Sequence, residues 1–328
     1  MGKAGRVNWK EVIEKAREVA RKFHETYHEA LTLRGIFYRL VSEGIIPNTK
    51  SAYKRLSAVL AKARYQGKFE WYLIKDETRP VYSMERFEYY PSEPLNVEEL
   101  LKRIKREIES YVDVSINPWE DQECRIIMVL EKQALADIVY TFINEVFPFG
   151  IYKLIVIRGY DSATDIKRIA DYVEGITFQK KKAVVLILTD FDPSGEDIAR
   201  DLRERVRMLI HDDIEEKVIF EKIAVTLDQI EKYKLPATPE SAEEIAKMQR
   251  DPRFKKWKHG LFRVELDALV SLVPEEFKQI LKSAIEKYFD WKIYEEVTKK
   301  REEELKKKAE EYRKQSYENL KKLLGEVP

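Results

Sequence analysis

The sequence predicts an α/β protein of more than one domain, with helices at both ends and a parallel sheet between them. Three observations carry this. Four short apolar runs, Arg125–Leu130, Leu154–Ile157, Ala183–Leu188 and Val218–Val225, alternate with stretches of helical periodicity. Strands apolar throughout are buried on both faces, and helices alternating with them give a parallel sheet covered on either side. The first 65 residues show helical periodicity alone, and 328 residues suit two or three domains better than one.

In chain order, residues 8–30 form a helix whose apolar stripe is Val12, Ile13, Ala16, Val19, Ala20 and Phe23. A second helix covers about Leu33–Gly44. Ile45 to Thr49 then make a turn with Pro47 and a helix N-cap. A third helix, about Ser51–Tyr65, has Tyr53, Leu56, Val59, Leu60 and Ala63 on its buried side. After Gly67 comes a strand-like stretch, Phe69–Ile74, ending in Asp76–Pro80. Helix, helix, tight turn, helix and short strand is the plan of a CAP-like winged helix-turn-helix.

The third helix of that plan reads the DNA groove. From Lys50 to Arg64 it carries Lys50, Lys54, Arg55, Lys62 and Arg64 with no acid, so these are the candidate DNA contacts. A solvated basic helix face is the other reading. Residues 81–118, rich in Tyr, Pro and Glu, read as a linker with a bracing helix near Val97–Ser110. Within the sheet region, helices follow the strands at about Ala134–Val146, Asp165–Val173 and Gly195–Leu209. The C-terminal third is helical. Its Glu/Lys run, from about Ile293 to Leu324, reads as an exposed helix, pairing with another chain being the alternative. The expected divisions are 1–90 (helix and winged helix), 91–118 (linker), 119–225 (sheet domain) and 226–328 (helical extension).

Composition excludes some classes. Hydrophobic residues make up 44% and charged residues 36%, so real cores form, and a Lys/Glu excess with one cysteine fits a hot cytoplasm. Cys124 has no disulfide partner and no zinc-ligand neighbour, and reads as a core residue. No apolar run approaches the roughly 20 residues that span a bilayer. The N-terminus lacks a signal-peptide core, so a cytoplasmic protein with no membrane partner is expected. The net charge of +1 conceals a polarity. Residues 1–80 carry 17 Lys and Arg against 9 Asp and Glu, a net of +8, while residues 119–225 carry 15 against 21, a net of −6. A basic front beside an acidic middle suits a reader of an anionic polymer joined to a cation-binding domain.

The candidate chemistry lies at strand ends. Glu131 directly follows one apolar run, and Asp190 and Asp192 follow another within Thr189–Gly195. Open parallel sheets place ligands at the C-terminal ends of their strands. Alternating positions send Asp190 and Asp192 to the same side of an extended segment. Three carboxylates without Cys or His favour a hard ion, hence Mg²⁺, which neutralises phosphate charge in phosphoryl transfer. Strand-end capping is the bland alternative, and a lone DxD proves little.

With their context, these residues resemble the Toprim fold. Glu131-Lys132 is similar to its first motif, Gly159-Tyr160 to its middle glycine turn, and Asp190-Phe191-Asp192-Pro193-Ser194-Gly195 to its DxD motif in the form found in the A subunit of topoisomerase VI. The resemblance implies metal binding by Glu131, Asp190 and Asp192, with Glu131 also catalytic. Leu31–Tyr38 resembles the nucleophile motif of those A subunits and of the meiotic double-strand-break enzyme. It implies Tyr38 as nucleophile and Arg34, one helical turn earlier, as a phosphate-binding or transition-state-stabilising residue. Gly35 departs from the motif, which usually has Asp or Glu there. The likeness runs from about residue 30 to 225 and extends to Tyr53–Leu56, Asp76–Pro80 and the segment Val264-Glu265-Leu266-Asp267-Ala268-Leu269, as in stand-alone mini-A proteins.

What the resemblance implies is Mg²⁺-dependent cleavage of double-stranded DNA by a homodimer. Tyr38 of one subunit would attack a phosphate held at the acids of the other, leaving a 5′-phosphotyrosyl link. The chain has no GxxxxGK[ST] loop, so a topoisomerase of this kind needs a separate ATPase subunit of the B type. Two rivals stand beside it: a hydrolytic Toprim endonuclease that does not use Tyr38, and a non-cleaving DNA-binding subunit of a larger complex.

Overall fold

The computed structural model describes residues 8–75, 117–157, 163–250 and 252–325. The chain divides into two compact units, one drawn from residues 1–79 and 123–289, the other from 80–122 and 290–328. The expected bracing helix at Val97–Ser110, the Asp76–Pro80 segment and the Gly159-Tyr160 turn lie outside the described residues.

In the first unit, α1 (Trp9–Tyr27) starts at Asn8, whose side chain accepts the Lys10 N–H, and ends at His28 in the left-handed region (φ 56°). Its buried positions, Val12, Ala16, Val19, Ala20, Phe23 and Tyr27, form a single stripe. The short β1 (Leu31–Thr32) leads into α2 (Leu33–Ser42), where the Thr32 hydroxyl accepts the Gly35 N–H at 2.9 Å. Gly35, Ile36, Phe37, Tyr38 and Leu40 are all buried, so α2 is covered on more than one side. Thr49 caps α3 (Lys50–Tyr65), which buries Ala52, Leu56, Leu60 and Ala63.

The strand expected at Phe69–Ile74 is only partly formed. Trp71–Leu73 makes a 3₁₀ turn, and β2 (Ile74–Lys75) pairs in parallel with β1. Phe69 and Leu73 are buried four residues apart while Trp71 and Tyr72 between them are exposed. That is the spacing of a helical turn; a half-buried strand would alternate.

The sheet follows the sequence pattern closely. Its strands are β3 (Cys124–Leu130), β4 (Lys153–Val156), β5 (Lys182–Leu188) and β6 (Val218–Ala224), all parallel, in the order β4-β3-β5-β6. Between them run α4 (Ala136–Val146), α5 (Ala163–Phe178) and α6 (Pro193–Arg207). One sheet face packs Ile127, Val129, Val185 and Ile187 against Ile166, Ile169 and Val173 of α5 and Ile198, Leu202 and Val206 of α6. The alternate residues Ile126, Met128, Val184 and Leu186 are equally inaccessible, so both faces are covered. Cys124 opens β3 as a buried free thiol.

After the sheet come α7 (Leu227–Tyr233), α8 (Ala242–Arg250), α9 (Leu266–Leu272) and α10 (Pro274–Glu286). Val264 forms an antiparallel bridge with Phe191, exchanging N–H···O bonds of 2.8 and 3.0 Å, and so returns the chain to the end of β5. From there α9 packs onto α2. The approach is close: a Cβ on Gly35 would lie 3.0 Å from Ser271 Cβ and 3.1 Å from a Leu31 methyl. No longer side chain fits at position 35 without moving a neighbour.

In the second unit, Asp290 caps α11 (Trp291–Gly325) by accepting the Lys292 and Ile293 N–H groups at 2.8 and 3.2 Å. Gln122 anchors this start, donating to the Asp290 carbonyl and accepting the Asp290 N–H. Most of α11 is exposed, as its Glu/Lys pattern predicts. Among the described residues no helix is long and apolar enough to cross a membrane.

Candidate functional site

Strand register brings two of the acids together. The Glu131 N–H donates to the Leu188 carbonyl at 3.0 Å, seating Glu131 beside the end of β5. Its Oε2 accepts the Asp190 N–H at 3.3 Å. Asp190 directs Oδ1 at the Leu266 N–H (2.8 Å) and Oδ2 at Lys132 Nζ (3.1 Å). Asp192 is the N-cap of α6, its Oδ1 accepting the Gly195 N–H at 2.7 Å, with Arg263 3.9 Å from its Oδ2. The turn depends on Gly195, since a Cβ there would fall 2.2 Å from the Asp190 carbonyl oxygen. The glycine of the DPSG turn is therefore the only residue type that lets α6 start this close to the strand end.

Two further acids come from the segment preceding and opening α9. Asp267 accepts from the Thr32 hydroxyl at 2.6 Å and from Lys132 at 2.7 Å. Glu265 pairs with Arg34 at 2.8 Å and lies 3.3 Å from Lys132. The result is a continuous chain of charge from α2 to the sheet: Arg34, Glu265, Lys132, Asp190. Arg34 also lies 4.4 Å above the Tyr53 ring. Sequence reasoning alone marks Glu131-Lys132 and the Val264–Leu269 segment as points of resemblance and gives Lys132, Glu265 and Asp267 no role. The available signal is Asp267 itself, an acid inside the apolar run Leu266–Val270, because a buried carboxylate needs a partner.

The electrostatics follow from burial and crowding. Burial, reinforced by Asp190 and Asp192, pushes Glu131 up to about 7. Burial also raises Asp190 against the pull of Lys132. Burial works against the Lys132 ammonium, but Asp267, Asp190 and Glu265 together hold it well above the ordinary lysine range. Asp267 sits below the usual carboxylate range, its burial outweighed by Lys132 and Thr32.

Tyr38 is fully buried in α2. Burial, then Glu265, pushes its phenol above the ordinary range, while Thr238 and Arg34 pull the other way. The tyrosine thus shares the field of the Arg34–Glu265 pair in the same chain. The α3 cations stand apart from this cluster. Lys50 is ion-paired with Glu244 of α8, Arg55 lies over Trp9, Arg64 lies over Trp71, and Lys54 and Lys62 are exposed.

Glu131, Asp190, Asp192, Glu265 and Asp267 together outnumber their cations Lys132, Arg34 and Arg263. Asp190 and Asp192 add to the burial that lifts Glu131, a bound cation relieves that added repulsion, and an all-oxygen donor set fits a hard divalent ion. Among the described residues no three His, Cys, Asp or Glu stand in metal-holding geometry, and Asp190 commits both oxygens to protein donors.

A pH dependence follows for the metal-free protein. With Glu131 raised from 4.5 to about 7, the folded state holds a proton that the unfolded state has lost, so stability falls as pH rises through that window. Denaturant midpoints between pH 4.5 and 7.5 are expected to show this decline, worth up to about 3 kcal/mol. Glu131→Gln is expected to flatten it.

Compared with family models, curated proteins and solved structures, the chain matches none.

Proposed function

We propose that this chain is a metal-dependent DNA-cleaving enzyme, with a Toprim domain carrying the acids and a winged-helix segment gripping the duplex. One observation carries the reading: Glu131 and Asp190 meet at the ends of two adjacent strands, the Glu131 carboxylate accepting the Asp190 N–H at 3.3 Å with Asp192 two residues further on, and burial, reinforced by the two aspartates, pushes Glu131 up to about 7. In this reading Glu131, Asp190 and Asp192 would hold Mg²⁺, which would supply neutralisation of the scissile phosphate and of the charge that develops on it. The residues of the chain do the rest. Lys132 keeps Asp190 oriented, and Asp192 holds the turn at α6. Arg34, one turn before Tyr38 on the same helix and held by Glu265, binds a phosphate oxygen. Where the resembled motif has an acid after its arginine, this chain has Gly35, and Glu265 engages the arginine from another element.

Two nucleophiles remain in competition. Hydrolysis by water is favoured by the burial of Tyr38 and its raised phenol, which together oppose phenolate formation in this conformation. Transesterification of the topoisomerase VI A type, by a dimer that works with a separate ATPase subunit, is favoured by the Arg34–Tyr38 spacing and by the Arg34 field on the phenol.

Incubation with Mg²⁺ and end-labelled supercoiled DNA, followed by denaturation, separates them. Free ends that persist in Tyr38→Phe and vanish in Asp190→Ala establish hydrolysis. DNA covalently attached to protein, lost in both variants, establishes the tyrosine. Intact DNA under all conditions, with binding retained, makes the chain a non-cleaving subunit and removes the enzymatic reading.

A further inference from the structure

We propose that Tyr65 and Trp71, where α3 ends, form a stacking platform for unpaired bases of a nucleic acid strand. This needs neither the metal nor Tyr38, and it adds a second DNA contact to the duplex grip assigned to α3. Tyr65 is 82% exposed, Trp71 54% and Tyr72 57%. The Tyr65 and Trp71 rings meet edge to face at 5.2 Å, and the Arg64 guanidinium lies 4.8 Å from the Trp71 centroid. Rings braced in this way, by a partner ring and a cation, give a rigid aromatic surface facing solvent.

The surroundings decide what that surface receives. Lys54, Ala58 and Lys62 follow one another at four-residue spacing on the exposed face of α3, and Tyr65 and Gln66 continue that face. Lys54 and Lys62 are therefore about 12 Å apart along the helix, a row of cations leading to the rings. Lys68 adds another exposed charge. Among the described residues no carboxylate pairs with Lys54, Lys62 or Lys68. The acid nearest the rings in sequence, Glu70, is held by Arg17 and Arg21, which keep it down at about 2. The exposed residues from 65 to 72 are Tyr65, Gln66, Gly67, Lys68, Trp71 and Tyr72, with no aliphatic side chain among them.

Aromatic rings interleaved with unpaired cations match the two halves of a single strand, whose bases stack while its phosphates pair. Protein interfaces also use Tyr and Trp but are depleted in lysine, unlike this row of unpaired cations, and an intact duplex hides its base faces. The occupant is thus a single strand, or the single-stranded tail of a duplex held along α3.

Fluorescence anisotropy in metal-free buffer tests this, using a labelled single strand, a blunt duplex and a duplex with a single-stranded tail. The Tyr65→Ala/Trp71→Ala double variant is expected to bind the single strand and the tailed duplex about tenfold more weakly or worse, while blunt-duplex affinity stays within about twofold. Tyr65→Phe/Trp71→Phe should keep most of the affinity, because a ring remains at each position. Lys62→Ala should weaken all three substrates and reduce the salt slope by about one.

Equal losses on blunt and tailed substrates, or no loss on either, overturn the proposal. So does loss of self-association in the alanine variant with DNA binding unchanged, which would make the patch a contact between copies. Since no cleavage is measured, an inactive acid cluster leaves this result standing.

Discussion

Lys132→Met is expected to destabilise the protein by about 3–5 kcal/mol near pH 7, the range seen when one member of a buried charge network is removed. The reason is geometric. The Lys132 ammonium lies within 3.3 Å of three carboxylates, those of Asp267, Asp190 and Glu265, whose side chains are 4%, 13% and 13% exposed. Methionine fills similar volume but leaves these charges facing one another with only Arg34 nearby. Burial already pushes Asp190 and Glu265 up, and without the ammonium they rise further. Asp267, now held below its ordinary range, rises too. The folded variant then binds protons that the unfolded chain does not, so its stability increases as pH falls toward the carboxylate range. Urea titrations at pH 7 and pH 5 should show the gap from wild type narrowing at the lower pH. A variant as stable as wild type at pH 7 would mean that the acids do not depend on Lys132.

Gly195→Ala is expected to cost about 3 kcal/mol of stability and to reduce metal-dependent cleavage at least about a hundredfold. The added carbon would meet the Asp190 carbonyl oxygen at 2.2 Å, and a backbone atom cannot rotate out of the way as a side chain can. Either α6 or the Asp190–Asp192 turn must shift, and two of the three proposed ligands sit in that turn. Thermal unfolding and single-turnover cleavage, measured on the same preparation, separate the two effects. A variant that matches wild type in both would show that the turn tolerates displacement.

How far the sequence can be read differs from one element to the next. The strands of the sheet lie within a residue or two of their apolar runs, because a strand buried on both faces leaves an uninterrupted local signature. The N-terminal helices are legible too, α1 and α3 through their apolar stripes and α3 also through the cap at Thr49 that the turn before it predicts. The 3₁₀ turn at Trp71–Leu73 reads as strand because three residues are too few to display a period. Glu131, Asp190 and Asp192 can be found because strand ends and a DxD turn are local patterns.

By itself, then, the sequence determined the parallel α/β core, the helical ends, the cation row of α3 and the three strand-end acids. Each depends on residues close together in the chain, where periodicity and turn chemistry act directly. Only the tertiary structure decided that Glu265 and Asp267 join those acids, that Lys132 stands among them, and that Arg34 is held from another element. Asp267 meets Thr32 across 235 residues and Lys132 across 135. Contacts of that range leave no period to read. They exist because the Phe191–Val264 bridge turns the chain back to the strand ends and because Gly35 leaves room for α9 against α2.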